Sequence, residues 1–399
     1  MFEYLQIYDR RERWLVGYAD LALAPFGDIN DWRRVHSPET PRRLLLLRLE
    51  RIGDLLMTLG AVTTIRDRLP EAHIRLVVGS WNVGLAHLFT GVDEVETLDA
   101  PWLARGAATS SMQDVIRTIA GWRREGFDVA INFEPDIRSN ALVAASGAPR
   151  RVGYATGGGG AFLTDTLDFD PTLHTATNAQ RLVAHVLPLK SDDARPFERV
   201  ILQVPENTRR RAHELLGPSN ALGPLVGMNV SAGRPIKQWP AERFAETGSI
   251  LAREENATIV LLGAPEDRTI GDAVLAALPT QIRPVNLIGK LSVVELAGVL
   301  ERLALLVSGD TGPMHLAVAV GTPVAAVFGP SDPVRYAPLA SKKRVVSTDL
   351  WCRPCNRIRR PPTRCTSGTP DCLTGVTVAA VVHAARGLLH DYLPTKSSS

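Results

Sequence analysis

The chain has 399 residues, 45% of them hydrophobic and 22% charged, with 45 Lys+Arg against 42 Asp+Glu and a formal charge of +3. That length suits two ordinary domains, and the globular mixture excludes intrinsic disorder for most of the chain. So slight a charge excludes nucleic-acid binding by bulk field, and no apolar run reaches the roughly 18 to 20 residues that span a bilayer.

In chain order, residues 1–40 form a preface. Trp14, Leu15, Tyr18, Leu21, Ala22 and Phe26 recur at helical spacing behind Arg10, Arg11 and Arg13, which predicts one amphipathic helix. It either packs on the body of the protein or lies on a membrane surface. The N-terminus has acidic residues and no uninterrupted apolar h-region, so no secretory signal is expected and a cytoplasmic location follows by default.

Residues 41–205 then alternate strand and helix. LLLLRL (44–49) precedes a helix from Asp54 to about Arg68. IRLVVG (74–79), a helix near 81–90, DVAINF (128–133) and an Ala-rich helix after Arg138 follow. Such alternation predicts a Rossmann-like parallel sheet with helices on both faces. After a less regular stretch from about 165 to 205, a second cycle occupies residues 206–345. Its strands are PLVGMNVS (224–231), IVLLG (259–263), ALLVSGD (304–310) and PVAAVFG (323–329), and its helices begin near Ala241, Pro265, Val293 and Gly312. Residues 346–399 carry a cysteine-bearing excursion, a C-terminal helix and a TKSSS tail. The expected fold is α/β, two such domains facing a cleft at the carboxyl ends of their strands, where ligands of open parallel sheets bind.

Three segments at strand ends carry candidate chemistry. In SGDTGPMH (308–315), Gly309 and Gly312 permit close backbone approach, and a helix opening near Pro313 aims N–H groups at the loop. That suits a phosphate, with Thr311 and His315 as further donors. The plainer reading is a strand-to-helix corner capped by Asp310, with His315 in the core. NVSAGRPIKQWP (229–240) offers Ser231 and Lys237, one of only six lysines. A lysine just ahead of a helix could neutralise a diphosphate, or simply sit on the surface. RLERIGDLL (48–56) puts Asp54 after the first strand, as a helix cap or as a carboxylate directed into the cleft.

Together these segments resemble glycosyltransferase family 9, the family of the bacterial lipopolysaccharide heptosyltransferases. The elements that carry the resemblance are R-x-x-x-I-G-D from Arg48 or Arg51 to Asp54, K-x-W-P at Lys237–Pro240 and D-T-G-P-M-H at Asp310–His315, over roughly residues 42–340. The resemblance implies a GT-B architecture and an inverting, metal-independent transferase with Asp54 as catalytic base. It also implies that Lys237, Asp310, Thr311, Gly312, His315 and Ser231 bind the donor, with Glu266 near its ribose. The donor it implies is a nucleotide-diphosphate sugar, with ADP-heptose the one expected, and the acceptor a glycolipid or oligosaccharide of lipopolysaccharide type. Arg138 and Arg151 fall where relatives face an anionic acceptor, although both are also ordinary surface types. No cofactor is required for catalysis, no nucleic acid is expected as partner, and peripheral contact at the inner face of the inner membrane is. A nucleotide-sugar epimerase or a non-catalytic nucleotide-sugar-binding protein is the alternative.

Four features stand outside that frame. Asp168-Phe169-Asp170 is a DxD triplet, expected to be a chance occurrence. The run Gly157–Gly160 is expected to be a mobile loop over the acceptor or a flexible connection. Cys352, Cys355, Cys365 and Cys372 have a spacing that suits a structural zinc, with free thiols or local disulfides as the other readings. Trp351 and Arg357, Arg359, Arg360 and Arg364 suggest an exposed, anion-facing excursion.

Overall fold

The computed structural model describes residues 2–7, 9–26, 40–102, 111–187, 202–217, 223–355, 365 and 368–392. Arg357, Arg359, Arg360, Arg364 and the TKSSS tail lie outside the described residues, as do 27–39 of the preface. The chain divides into two compact units, Met1–Val200 and Ile201–Ser399.

In the first unit the strands are β1 (Arg43–Arg48), β2 (His73–Val78), β3 (Glu94–Thr97), β4 (Val129–Asn132), β5 (Arg150–Tyr154) and β6 (Asp165–Leu167). They form one parallel sheet in the order β3-β2-β1-β4-β5-β6. The helices are α1 (Arg10–Leu23), α2 (Ile52–Arg68), α3 (Ser80–Ala86), α4 (Met112–Glu125), α5 (Ile137–Ala145) and α6 (Thr175–Val186). Leu44 to Leu47 are completely buried. An unbroken apolar run, without polar alternation, is what a strand covered on both faces requires.

The second unit repeats the design with β7 (Leu225–Asn229), β8 (Thr258–Leu262), β9 (Val285–Asn286), β10 (Leu305–Gly309), β11 (Val324–Phe328) and β12 (Lys343–Ser347). Their order is β12-β11-β10-β7-β8-β9, again parallel throughout. Its helices are α7 (Glu206–Leu216), α8 (Ala241–Glu254), α9 (Arg268–Ala277), α10 (Val293–Arg302), α11 (Gly312–Ala319), α12 (Pro333–Tyr336), α13 (Asp371–Thr374) and α14 (Val378–Tyr392). Helix α14 packs on α8 and the sheet, so the C-terminal segment completes this unit's core through Val381, Leu388 and Leu389. Trp239 seals the same core, edge-on to Phe244 and donating its indole N–H to the Val376 carbonyl.

Counted within each unit, both sheets have the order 3-2-1-4-5-6. Winding runs outward in both directions from the central pair, so β1/β4 and β7/β10 are the points where connections leave on opposite faces. At such a point the loops beyond the carboxyl ends part and leave a crevice.

The preface helix is packed against the body. Phe2, Leu5 and Val16 form a small core with Ile7, Trp14 and Ile137, while Leu15, Tyr18 and Leu21 stay exposed. The glycine run is the seat of α1, which corrects both sequence-based readings of it. Gly157, Gly158 and Gly159 are buried. Gly159 N–H donates to Asp20 Oδ1 at 2.6 Å and Asn140 Nδ2 donates to the Gly158 carbonyl at 2.8 Å. A Cβ on Gly157 would lie 2.0 Å from the Pro135 carbonyl oxygen, so only glycine lets the two backbones meet.

Candidate active site

Each switch point gathers sequence-predicted residues. In the first unit, β1 ends at Arg48 and the chain turns into α2, whose first turn carries Asp54. The N-cap of α2 is Arg51 with no side-chain cap, so Asp54 is not the capping residue. Its carboxylate meets Arg48 instead, Nη2 to Oδ1 at 3.3 Å, and 23% of its side chain is accessible. Arg48 is 3% exposed and donates to the Phe133 carbonyl at 2.5 Å. Beyond β4, Glu134 is 1% exposed and accepts from the backbone N–H of Leu49, from that of Glu50 at 2.8 Å and from Ser139 Oγ at 2.8 Å. Burial raises the Glu134 carboxyl, against the pull of Arg48 and of these hydrogen bonds. Glu134 was not legible as a site residue, because only the pairing of β1 with β4 brings it beside Arg48.

In the second unit the register pairs Asn229 of β7 with Ser308 of β10. Asn229 Nδ2 therefore reaches both Ser308 Oγ and Thr311 Oγ1 at 3.0 Å. Thr311 is the N-cap of α11 and makes no side-chain cap bond, Pro313 occupies the first turn, and His315 is 8% exposed. Asp310 is not a cap either. It pairs with Lys237 at 2.5 Å, with side-chain exposures of 10% for the aspartate and 18% for the lysine. Lys237 lies in a short 3₁₀ turn, Pro235–Lys237, which carries the β7 loop back over the end of β10. An ammonium has three donors, so Lys237 can hold Asp310 and still donate to an anion. Ser231 lies just past β7, and Glu266 is exposed in the 3₁₀ turn Pro265–Asp267 past β8, one strand away from the switch point. Asn229 was missed because it looks like one more polar strand end. Its signal was that it precedes the loop carrying Ser231.

The two arginines part company. Arg138, in the first turn of α5, has 41% of its side chain accessible and pairs with Asp136 at 2.5 Å, with Glu12 at 3.9 Å. Arg151 is placed otherwise than the acceptor reading expects. It lies inside β5 at 1% exposure and donates to the Phe162 and Ala148 carbonyls, each at 2.8 Å. Buried, and with two of its side-chain donors on backbone carbonyls, it presents no accessible face to an acceptor. In the DxD triplet Phe169 is buried, and Asp170 closes a turn on the N–H and hydroxyl of Thr172.

The four cysteines line one small cavity with Ile236, Arg353 and Asp371, and all are free thiols. Burial, reinforced by the other three cysteines and opposed by Arg353, pushes the Cys372 thiol up to about 11. Among the described residues no group of three or more His, Cys, Asp or Glu is arranged to hold a metal ion, so the zinc reading finds no support here. Trp351 is 92% exposed. No helix among the described residues is long and apolar enough to cross a membrane.

The chain is similar to known proteins. Lipopolysaccharide heptosyltransferase 2 of Escherichia coli K12 is 26% identical over 312 residues, 76% of this chain and 87% of that protein. The Salmonella typhimurium protein of the same name is 27% identical over 312 residues, with the same coverage of 76% and 87%. Among solved structures, a glycosyl transferase family 9 protein from Veillonella parvula aligns with a TM-score of 0.76 at 23% identity, covering 88% of this chain and 98% of its own. The E. coli ADP-heptose lps heptosyltransferase II aligns at 0.71 and 23%, covering 88% and 99%. These two likenesses speak to fold. The family model described as glycosyltransferase family 9 (heptosyltransferase) matches residues 115–363. With that match over more than half its length, the chain belongs to glycosyltransferase family 9.

Proposed function

We propose that the protein is an inverting, metal-independent heptosyltransferase that moves heptose from ADP-heptose to a lipopolysaccharide-type acceptor. The observation that carries this reading is the pairing of chemistries at equivalent positions. A carboxylate with accessible surface, Asp54, stands at the first unit's switch point, and a cation beside the N-terminus of α11 stands at the second's. Asp54 takes the proton of the acceptor hydroxyl as its oxygen forms a bond to the anomeric carbon. The bond from that carbon to the diphosphate oxygen breaks, and ADP leaves with the electron pair. Lys237, the Thr311 hydroxyl and the N–H groups of α11 take up the charge that develops on the diphosphate, the work a divalent ion does in other transferases.

Ser231, Asp310, Gly312, His315 and Glu266 complete the donor side, and Arg138 serves an anionic acceptor. A cytoplasmic enzyme at the inner face of the membrane fits this substrate pair. The exposed Leu15, Tyr18 and Leu21 with neighbouring Arg10, Arg11 and Arg13 give α1 a face suited to an anionic bilayer.

The test is incubation with ADP-heptose and heptose-deficient lipopolysaccharide in excess chelator, followed by product analysis. Transfer with inversion at the anomeric carbon is expected. Conversion of the donor without acceptor would mean an epimerase, and donor binding without turnover a sensor. Either result would overturn the reading.

A further inference from the structure

Asp54 and Glu50 share one buried guanidinium, Arg48, with the buried Glu134 close by. Arg48 Nη2 lies 3.3 Å from Asp54 Oδ1 and 3.8 Å from Glu50 Oε2. The cation has little freedom to follow either partner: its side chain is 4% accessible and its Nη1 is spent on the Phe133 carbonyl. The Glu50 backbone is fixed as well. Its N–H donates to Glu134 at 2.8 Å, and its carbonyl accepts from Trp81 Nε1 at 2.8 Å and Asn82 Nδ2 at 2.7 Å. Its side chain, by contrast, is 44% accessible. A fixed backbone under a side chain that is only partly accessible leaves the carboxylate, packed on one side against the Arg48 cluster, as what Glu50 contributes here.

We propose that Glu50 is a positioning residue for the base: by competing with Asp54 for the Arg48 guanidinium, it sets how tightly that cation restrains the Asp54 carboxylate. The inference rests on Asp54 being the base. With Glu50 ionised, Arg48 is divided between two carboxylates and Asp54 is released toward an acceptor hydroxyl. With Glu50 protonated, Asp54 no longer shares Arg48 with it, and a carboxylate held more tightly by a buried cation is a poorer proton acceptor.

Partial burial against this cluster, together with its charges, places the switch near neutrality. Desolvation first, then the charges of Asp54 and Glu134, raise the Glu50 carboxyl to about 7 against the pull of Arg48 and Arg51. Activity should therefore rise with pH through that region.

The test is the pH dependence of kcat and KM for heptosyl transfer by the full chain and by Glu50→Gln, Glu50→Asp and Asp54→Asn. Glu50→Gln removes the competing charge permanently. Its kcat at pH 8 is expected to fall about tenfold, the size of one modest charge interaction, with KM little changed and the rise through neutrality abolished. Glu50→Asp, which keeps a carboxylate, restores the rise. If Glu50→Gln keeps the wild-type pH profile, at full or reduced rate, the inference is overturned while Asp54 stands. Full activity in Asp54→Asn removes the base itself.

Discussion

Buried polar groups at both sites depend on partners far away in sequence, and this decides how they behave. Glu134 tolerates burial because two backbone N–H groups, the Ser139 hydroxyl and Arg48 surround it. Cys372 has no such support. Held neutral by burial, its thiol has a proton affinity higher when folded than when unfolded. That preference favours the folded state below the ordinary thiol range and is lost as pH rises through about 11. Native alkylation with iodoacetamide, followed by peptide mass spectrometry at pH 8, should modify Cys372 more slowly than Cys352, Cys355 or Cys365, since the thiolate is the nucleophile. Equal rates for all four would show that burial does not control the Cys372 thiol.

Placement at a strand end was legible where one strand, loop and helix spell it out, as with Lys237, Asp310 and Asp54. The partner was not legible where register supplies it. Nothing local says that Asn229 will face Ser308, or that Asp310 will spend its carboxylate on Lys237 instead of on a helix end. Arg151 was misjudged because arginine is usually an exposed type. β5 carries it inward, and two backbone carbonyls make that tolerable.

Elements with a strong period were legible from sequence, and weak ones were not. The expected helix starts at Ala241, Val293 and Gly312 match α8, α10 and α11, and the apolar runs match β1, β2, β4, β7, β8, β10 and β11. The edge strands β3, β6, β9 and β12 were missed, and so was β5 beside β6. EVET, DTL and KRVVS are short and polar because an edge strand is only partly covered and need not be a continuous apolar run.

The glycine run misled for a related reason: glycine marks freedom in the unfolded chain but close approach in the folded one. Gly158 has φ of +89°, and a Cβ there would fall 2.2 Å from Val16 Cγ1. Gly158→Ala should cost on the order of 1–3 kcal/mol and loosen α1. Hydrogen exchange should show faster exchange across Arg10–Leu23, with β1 and β4 unaffected. Unchanged protection of α1 would mean that the glycine seat does not anchor it.

At the scale of the molecule, two sheets of identical strand order bring different chemistries to equivalent places. The order 3-2-1-4-5-6 follows from right-handed crossovers leaving the central strands in both directions. The first sheet opens on carboxylates around an arginine, and the second on a lysine, hydroxyls and a helix N-terminus. Composition and alternation suffice for the α/β class. The division of labour shows only once the strand order identifies which loops flank each switch point.

That division can be measured by titrating ADP into wild type, Asp54→Asn and Lys237→Met while assaying heptosyl transfer by the same three preparations. The account predicts that Asp54→Asn loses about 10² to 10⁴ in transfer rate with ADP affinity within about threefold of wild type. Lys237→Met should bind ADP at least about tenfold more weakly. Wild-type transfer by Asp54→Asn, or ADP affinity lost in that variant and kept in Lys237→Met, would contradict it.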